Sequence, residues 1–295
     1  MGYRDEIIRT PDGRALEVAR VGADDGVAVV FHHGSPGAAS LALSLETMAE
    51  RHGLFVATSS RAGYGHSDPR PGRDVGSVVE DVATLRAHFG IEHYVAVGWS
   101  GGGPHALACA AKDPACVGAI SLAGVAPIDA DFDWTEGMGP ENLEEFALAR
   151  EGGAAYLAHM ESAAREFAGA TSENIVALFG GLLSAPDLAV LERESEREWL
   201  ARECRDAFAV SAAGFIDDDR AFFAPWGFDP SAIEVPVEVW YGDLDLMVPP
   251  THGAWLARTI PDANPVHLPD EGHVSLVVSH ADMLAEAILA LGELS

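Results

Sequence analysis

The sequence has little positive charge. Its 295 residues include 46 aspartate and glutamate residues against 18 lysine and arginine residues, so the net charge at pH 7 is −28. Lys112 is the single lysine. A protein that binds a phosphate backbone or an anionic membrane surface needs clustered cations. We therefore expect neither nucleic acid nor a membrane as a partner.

Cysteine and long apolar runs are also scarce. Cys109, Cys116 and Cys204 are odd in number and form no C-x-x-C pair, which argues against a disulfide framework and favours a reducing compartment. Charged residues interrupt the first part of the chain, unlike the apolar core of a signal peptide. No stretch approaches the roughly 20 apolar residues that span a bilayer. The sequence predicts a cytoplasmic protein.

Cofactor motifs are missing as well. The chain has no Cys and His residues at metal-ligand spacing and no glycine-rich dinucleotide fingerprint. We expect no metal and no cofactor, and we expect a small-molecule substrate as the partner. The sequence leaves the oligomeric state open.

Short apolar runs are abundant, and 48% of the residues are hydrophobic, enough to bury a sizeable core. In the first part of the chain, strand-like runs alternate with helical spacing, which indicates βα units and a parallel sheet. A hairpin is predicted around the turn Pro11-Asp12-Gly13. The strand runs are 6–10, 15–21, 27–31, 54–58, 94–97 and 117–122, and the helical runs are 41–51, 75–89 and 104–112.

The pattern changes between residues 127 and 226. This stretch is rich in Ala, Glu and Arg, shows no strand pattern, and holds 21 acidic and 7 basic residues, half of the net charge. Strand-like runs return at 235–241 and 265–268, followed by helical sequence from about 275 to 294. The chain is thus predicted to have an α/β core, residues 1–126 and 227–295, with a helical insertion at 127–226.

A G-x-S-x-G pattern follows one of the predicted strands. In GWSGG, residues 98–102, Ser100 stands at a turn from strand to helix, where Gly98 and Gly102 are small enough to keep neighbouring backbone from colliding. The following helix N-terminus directs free N–H groups toward the serine. We predict that Ser100 is a nucleophile and that the amide of Gly101 binds an oxyanion.

A second glycine-rich turn, HHGSPG at residues 32–37, also follows a predicted strand. Such a turn brings a backbone N–H close to a neighbouring site without side-chain obstruction. We assign the second oxyanion donor to the amide of Ser35. The side chain of His33 is interpreted as structural, with hydrogen bonds to backbone.

A nucleophilic serine needs a base and an orienting carboxylate. Asp243 and Asp245 follow one predicted strand, and Gly272-His273 follows the next. The order Ser, Asp, His, each just after a strand, matches the triad order of one particular fold. His273 is the expected base, and Asp245 is preferred to Asp243 as the carboxylate.

Together these motifs resemble the α/β-hydrolase family with a helical cap. The resemblance implies a mostly parallel eight-stranded sheet flanked by helices, with the cap inserted. It favours Asp245, because in that family the acid usually stands three residues after the glycine. Relatives often read D-R-P-G-x-G where this chain has SRAGYG, in a loop that supports the site. The residues that carry the resemblance are 33–37 (HGSPG), 61–67 (RAGYGHS), 98–102 (GWSGG), 242–249 (GDLDLMVP) and 272–273 (GH).

The resemblance implies a serine hydrolase, and the scarcity of cations disfavours carboxylate or phosphate recognition. We expect cleavage of small to medium, largely apolar, uncharged carboxylic esters through an acyl-enzyme. A second interpretation is an N-terminal proline aminopeptidase, in which cap carboxylates such as Glu144 or Glu145 hold an ammonium group. Carbon–carbon bond hydrolases and lyases use the same serine. A non-catalytic receptor is disfavoured because Ser100, Asp245 and His273 are all present.

Overall fold

Eight strands form one sheet in the computed structural model, which describes residues 4–293. They are β1 (Arg4–Arg9), β2 (Ala15–Gly22), β3 (Val27–His32), β4 (Leu54–Ser59), β5 (Tyr94–Trp99), β6 (Cys116–Leu122), β7 (Val237–Gly242) and β8 (Asn264–Leu268). Their order across the sheet is β1-β2-β4-β3-β5-β6-β7-β8. β2 pairs antiparallel with β1 and β4, and the other neighbours are parallel. The predicted hairpin and the predicted eight-stranded, mostly parallel sheet are both confirmed.

Helices cover the parallel part of the sheet. They are α1 (Leu43–His52), α2 (Val78–Phe89), α3 (Gly103–Lys112), α10 (Pro250–Thr259), α11 (His273–Val278) and α12 (Ala281–Gly292). Every residue of β4 and β5 is buried, as expected for central parallel strands with helices on both faces. The carboxyl ends of these strands therefore meet at one edge of the sheet, and the loops that carry the predicted site residues start there.

The predicted terminal helix is two helices. α11 ends at Val278, His280 has a non-helical backbone (φ −115°, ψ 27°), and α12 then begins at Ala281. At this break the side chain of His280 bonds Glu271 at 2.8 Å. Apolar spacing hides this break because both helices bury apolar faces in one core. Leu294, the predicted end, lies outside the described residues.

Between β6 and β7, the described residues form helices and connecting loops but no strand. The six α-helices are α4 (Pro140–Glu151), α5 (Gly153–Phe167), α6 (Ile175–Phe179), α7 (Ala185–Val190), α8 (Glu194–Ala207) and α9 (Ala213–Phe222). We call residues 127–226 the helical segment. Tyr156, Met160, Phe208 and Phe215 pack with Tyr64 in a separate small core, which joins the segment to the loop after β4. No helix among the described residues is long and apolar enough to cross a membrane.

Candidate active site

Ser100 lies in a strained turn between β5 and α3. Its φ is 57°, a left-handed conformation that side-chain-bearing residues seldom adopt. A Cβ on Gly98 would overlap the carbonyl group of Gly102, and a Cβ on Gly102 would overlap that of His32. The two flanking glycines are therefore required by close backbone packing, as the sequence pattern predicts, and they leave the serine at the edge of the sheet.

The two predicted oxyanion residues lie beside each other and beside the serine. A Cβ placed on Gly34 would be 3.4 Å from the Ser100 Cβ and 3.8 Å from its Oγ. A Cβ on Gly101 would overlap the Ser35 side chain. The loop after β3 and the turn after β5 thus converge on Ser100, and the roles of the Ser35 and Gly101 amides remain a prediction.

His273 pairs with Asp245. The His273 Nδ1 and Asp245 Oδ2 are 2.7 Å apart, and both side chains are almost fully buried. The other oxygen, Oδ1, accepts the amide N–H groups of Met247 and Val248, each at 2.8 Å. Asp243, the alternative acid, instead bonds the exposed ring of His267 at 2.7 Å. The geometry therefore distinguishes two aspartates that the spacing leaves open.

The Asp245 carboxylate sets the protonation of His273. Burial by itself would lower the pKa of His273, but the charge and hydrogen bond of Asp245, together with the charge of Asp187, outweigh burial, and the pKa lies above its ordinary value. An imidazolium is therefore stabilised here, as a general base needs once it has taken a proton.

Trp99 connects His273 to the serine turn. Its ring nitrogen Nε1 donates to the His273 carbonyl at 3.2 Å, and the two ring centroids are 5.3 Å apart. Since Trp99 directly precedes Ser100, this contact brings the predicted base to the strand end that carries the predicted nucleophile. Trp199 of α8 also packs against Trp99, with ring centroids 5.6 Å apart.

A buried ion-pair network, which sequence reasoning missed, supports the loop of Ser35. Asp218 of α9 accepts from Arg61 at 2.7 Å and from Arg73 at 2.5 Å. Tyr64 donates to the same carboxylate at 3.0 Å, and the Ser35 hydroxyl donates to it as well. Although burial opposes ionisation, the two guanidinium groups hold the pKa of Asp218 well below its ordinary value.

Arg61 carries this network to the backbone of the loop. Its guanidinium donates to the carbonyl of Gly34 at 2.7 Å and to that of His33. The His33 ring donates from Nδ1 to the Gly34 carbonyl at 2.7 Å and accepts the Arg61 amide at Nε2, 3.0 Å away. His33 is thus bonded to backbone, as its structural interpretation predicts. The pairing of Arg61 with Asp218 has no sequence signal, because 157 residues separate the two.

A cavity of about 80 Å³ adjoins Ser100. Most of its wall is apolar and comes from the helical segment and the loop after β7. Asn142, Glu145 and Asp219 are the polar side chains of the segment that reach it, and none of the lysine and arginine residues within 4–293 lines it. The apolar lining consists of Pro36, Val125, Phe146, Phe167, Phe179, Leu182, Phe215, Phe222, Met247 and Val248.

Glu145 and Asp219 are both protonated more readily than ordinary carboxyl groups. Shielding from solvent raises the pKa of Glu145 to about 8. Burial, followed by the charge of Glu145, raises the pKa of Asp219 well above its ordinary value, although Tyr156 donates to it at 2.9 Å. Near neutral pH the pair therefore holds less than its full negative charge. Glu144, the other acid singled out from the sequence, is exposed.

The described side chains form no metal site. Among residues 4–293, no group of three or more His, Cys, Asp or Glu side chains is arranged to hold a metal ion.

Comparisons with known proteins agree with this architecture. The sequence model for the alpha/beta hydrolase fold matches residues 27–152. The chain is 33% identical over 146 residues to a non-heme chloroperoxidase of Streptomyces lividans, covering 48% of this chain and 53%, about half, of that relative. It is 27% identical over 223 residues to a pimeloyl-[acyl-carrier protein] methyl ester esterase of Chromobacterium violaceum, covering 75% and 78% of the two chains.

Solved structures show the same fold over nearly the whole chain. An esterase from Exiguobacterium antarcticum superposes with a TM-score of 0.70 at 18% identity, covering 98% of this chain and 100% of that one. At this identity the likeness concerns the fold alone.

Proposed function

We propose that the chain, which has the α/β-hydrolase fold, is a serine hydrolase that cleaves small to medium, largely apolar, uncharged carboxylic esters through an acyl-enzyme. The observation that carries the proposal is the convergence of Ser100, in its strained turn, with the buried His273–Asp245 pair at one edge of the sheet. The methyl ester esterase to which the chain is 27% identical supports the same reaction class.

The proposed reaction has two stages. Ser100 Oγ attacks the ester carbonyl while His273 takes its proton, and Asp245 fixes the ring tautomer and stabilises the imidazolium. The amides of Ser35 and Gly101 hold the oxyanion of the tetrahedral intermediate. The imidazolium returns the proton to the departing alcohol, which leaves an acyl group on Ser100. His273 then activates water, which releases the acid and restores the serine.

The cavity supports the choice of substrate. At about 80 Å³ it suits a small acyl group, and its lining of phenylalanine, leucine, methionine and valine favours apolar carbon. The described part of the chain places no lysine or arginine in this lining, which disfavours an anionic substrate. A partly protonated Glu145–Asp219 pair also presents O–H donors to an uncharged ester.

The same pair supports a second candidate, an N-terminal proline aminopeptidase. Two carboxyl groups in an aromatic-lined cavity beside a nucleophile are suited to a substrate ammonium, which would favour their ionised form. Aminopeptidase activity should therefore rise with pH as the pair ionises, whereas ester cleavage does not require that ionisation.

One panel of substrates tests these alternatives. We propose to measure kcat/KM for p-nitrophenyl acetate, butyrate and octanoate beside proline p-nitroanilide, with wild-type protein and Ser100→Ala. Hydrolysis of the shorter esters with weak anilide cleavage is the expected result, and anilide cleavage that exceeds ester cleavage would favour the aminopeptidase.

Labelling by a fluorophosphonate reports the nucleophile independently of the substrate. We expect covalent labelling of the wild-type protein, none of Ser100→Ala, and a loss of about 10⁵-fold or more in ester turnover for that variant. Labelling without ester or anilide turnover would favour carbon–carbon bond cleavage. If the protein shows no labelling and no turnover, the result contradicts a serine hydrolase and favours a receptor.

A further inference from the structure

Asp187 of the helical segment bonds the backbone that directly follows His273. Its Oδ1 accepts the amide of Val274 at 2.8 Å and that of Ser275 at 2.9 Å, and its carboxylate is fully buried. Its Oδ2 accepts the amide and hydroxyl of Ser184, at 3.1 and 2.8 Å, which closes the first turn of α7. One oxygen thus serves α7 itself, and the other reaches the first turn of α11, 87 residues later.

The glycine before His273 independently shows how closely α7 approaches. Gly272 has φ −98°, which residues with side chains adopt freely, so its backbone conformation does not require glycine. A Cβ at this position would overlap the Ser184 hydroxyl and lie 2.5 Å from the Asp187 Oδ2. Position 272 therefore requires glycine because the helical segment packs directly on it.

Two carboxylates face His273 from different elements. Asp245 lies in the loop after β7 and Asp187 in α7, while β5 contributes the uncharged ring of Trp99. Glu271, in the same loop as His273, bonds His280 instead. Burial lowers the pKa of His273, and Asp245 followed by Asp187 raises it. Asp187 therefore acts in the same direction as Asp245 without touching the ring nitrogen that Asp245 holds.

We propose that Asp187 is a positioning residue for His273, which it anchors through the Val274 and Ser275 amides while adding a second negative charge that stabilises the imidazolium. The inference rests on the proposed role of His273 as the base. It makes the helical segment a part of the machinery that prepares this histidine, in addition to a wall of the cavity.

Replacing Asp187 by asparagine separates charge from packing. Asparagine keeps an oxygen that accepts the two amides but removes the charge. The matched control is Asp229→Asn. Asp229 is an exposed aspartate outside the site, and its Oδ1 accepts the Ser231 amide at 2.9 Å. The measurements are an NMR titration of the His273 ring, assigned by its loss in His273→Gln, and kcat and KM for a p-nitrophenyl ester.

For Asp187→Asn we expect the His273 midpoint to fall by about one pH unit and kcat to fall about tenfold with KM little changed. Asp229→Asn should match the wild type in both. If Asp187 were merely structural, Asp187→Asn would lower the melting temperature and leave the His273 midpoint unchanged. That result would overturn the proposal.

Ser184→Ala provides a second variant in case Asp187→Asn does not fold. It keeps the Asp187 charge and removes a hydrogen-bond donor that partly neutralises it, so the His273 midpoint should rise. An unchanged or lower midpoint would overturn the proposal. The NMR titration of His273 needs no turnover. If the wild-type protein had no hydrolytic activity, the proposed function would fail, but the titration would still test the role of Asp187.

Discussion

The loops at the sheet edge and the helical segment both supply buried carboxylates to the candidate site, but they do so differently. Asp245, in the loop after β7, contacts the ring of His273 itself. Asp187, Glu203 and Asp218, in the segment, contact the backbone or supporting side chains of loops that carry predicted site residues. The sheet edge thus presents the predicted reactive groups, and the segment holds the loops that carry them.

This division changes the meaning of the chain's acidity. Half of the net charge of −28 lies in residues 127–226, where composition suggests a solvated acidic surface. Three of these acids, Asp187, Glu203 and Asp218, are instead buried, and each fixes a loop of the core by accepting its N–H groups or pairing with its arginine. A buried carboxylate with such partners is costly to remove, because its partners lose their hydrogen bonds.

The largest expected effect tests the sheet-edge side of the comparison. Asp245→Asn should lower kcat about 10⁴-fold with little change in structure, because the amide favours the wrong tautomer of His273. Asp243→Asn is the matched control, since Asp243 bonds only the exposed His267 ring among the hydrogen bonds described. Steady-state kinetics on a p-nitrophenyl ester measures both, and a similar loss in the two variants would contradict the assignment of Asp245.

Asp218→Asn tests the segment side. It leaves Arg61 and Arg73 buried without their counter-ion, which should cost about 3–5 kcal/mol of stability. It should also loosen the loop of Ser35 and lower kcat/KM about 10- to 100-fold in protein that remains folded. Urea unfolding and ester kinetics measure the two effects.

The neighbouring Asp217→Asn serves as the control for Asp218. Asp217 is buried, but burial raises its pKa and its partner Arg220 has a side chain that is 60% exposed, so loss of the Asp217 charge should cost less than about 1 kcal/mol. Equal destabilisation by the two substitutions would show that the network around Asp218 has no special role, and the comparison between sheet edge and segment would lose its basis.

Glu203 of α8 gives the smallest effect, one on stability alone. It accepts the amide of Ala38 at 3.1 Å and the hydroxyl of Ser40, just beyond the loop of Ser35. Burial raises the pKa of Glu203 from 4.5 to about 7, against the lowering effect of these hydrogen bonds. Between these pH values the folded protein keeps a proton that the unfolded chain has released, so stability falls as pH rises.

The contribution of Glu203 amounts to at most about 3 kcal/mol between pH 4.5 and pH 7. Glu203→Gln cannot release a proton and should flatten that part of the stability curve, as measured by urea unfolding at several pH values. Glu144→Gln, at an exposed position of α4, should keep the wild-type slope. If Glu203→Gln also kept the wild-type slope of stability against pH, Glu203 would not be the group that titrates.

Local patterns were sufficient for the sheet and for the strand ends. The runs at 27–31, 54–58 and 94–97 became strands within a residue or two because their burial on both faces demands continuous apolar sequence. The turn of Ser100 was predictable because its motif is short and follows a predicted strand. Gly98 packs against the backbone of Gly102 within the same turn, whereas Gly102 packs against His32 at the end of β3. The break between α11 and α12 was not, because apolar spacing continues across it.

Sequence alone therefore determined the fold class, the strand ends and the order in which Ser100, Asp245 and His273 follow them, since short apolar runs and short motifs record each of these locally. Tertiary structure decided which acids serve the site. The bonds of Asp187 to α11 and of Asp218 to Arg61 span 87 and 157 residues. No local period records such pairs, because they form only when the helical segment packs on the loops of the sheet.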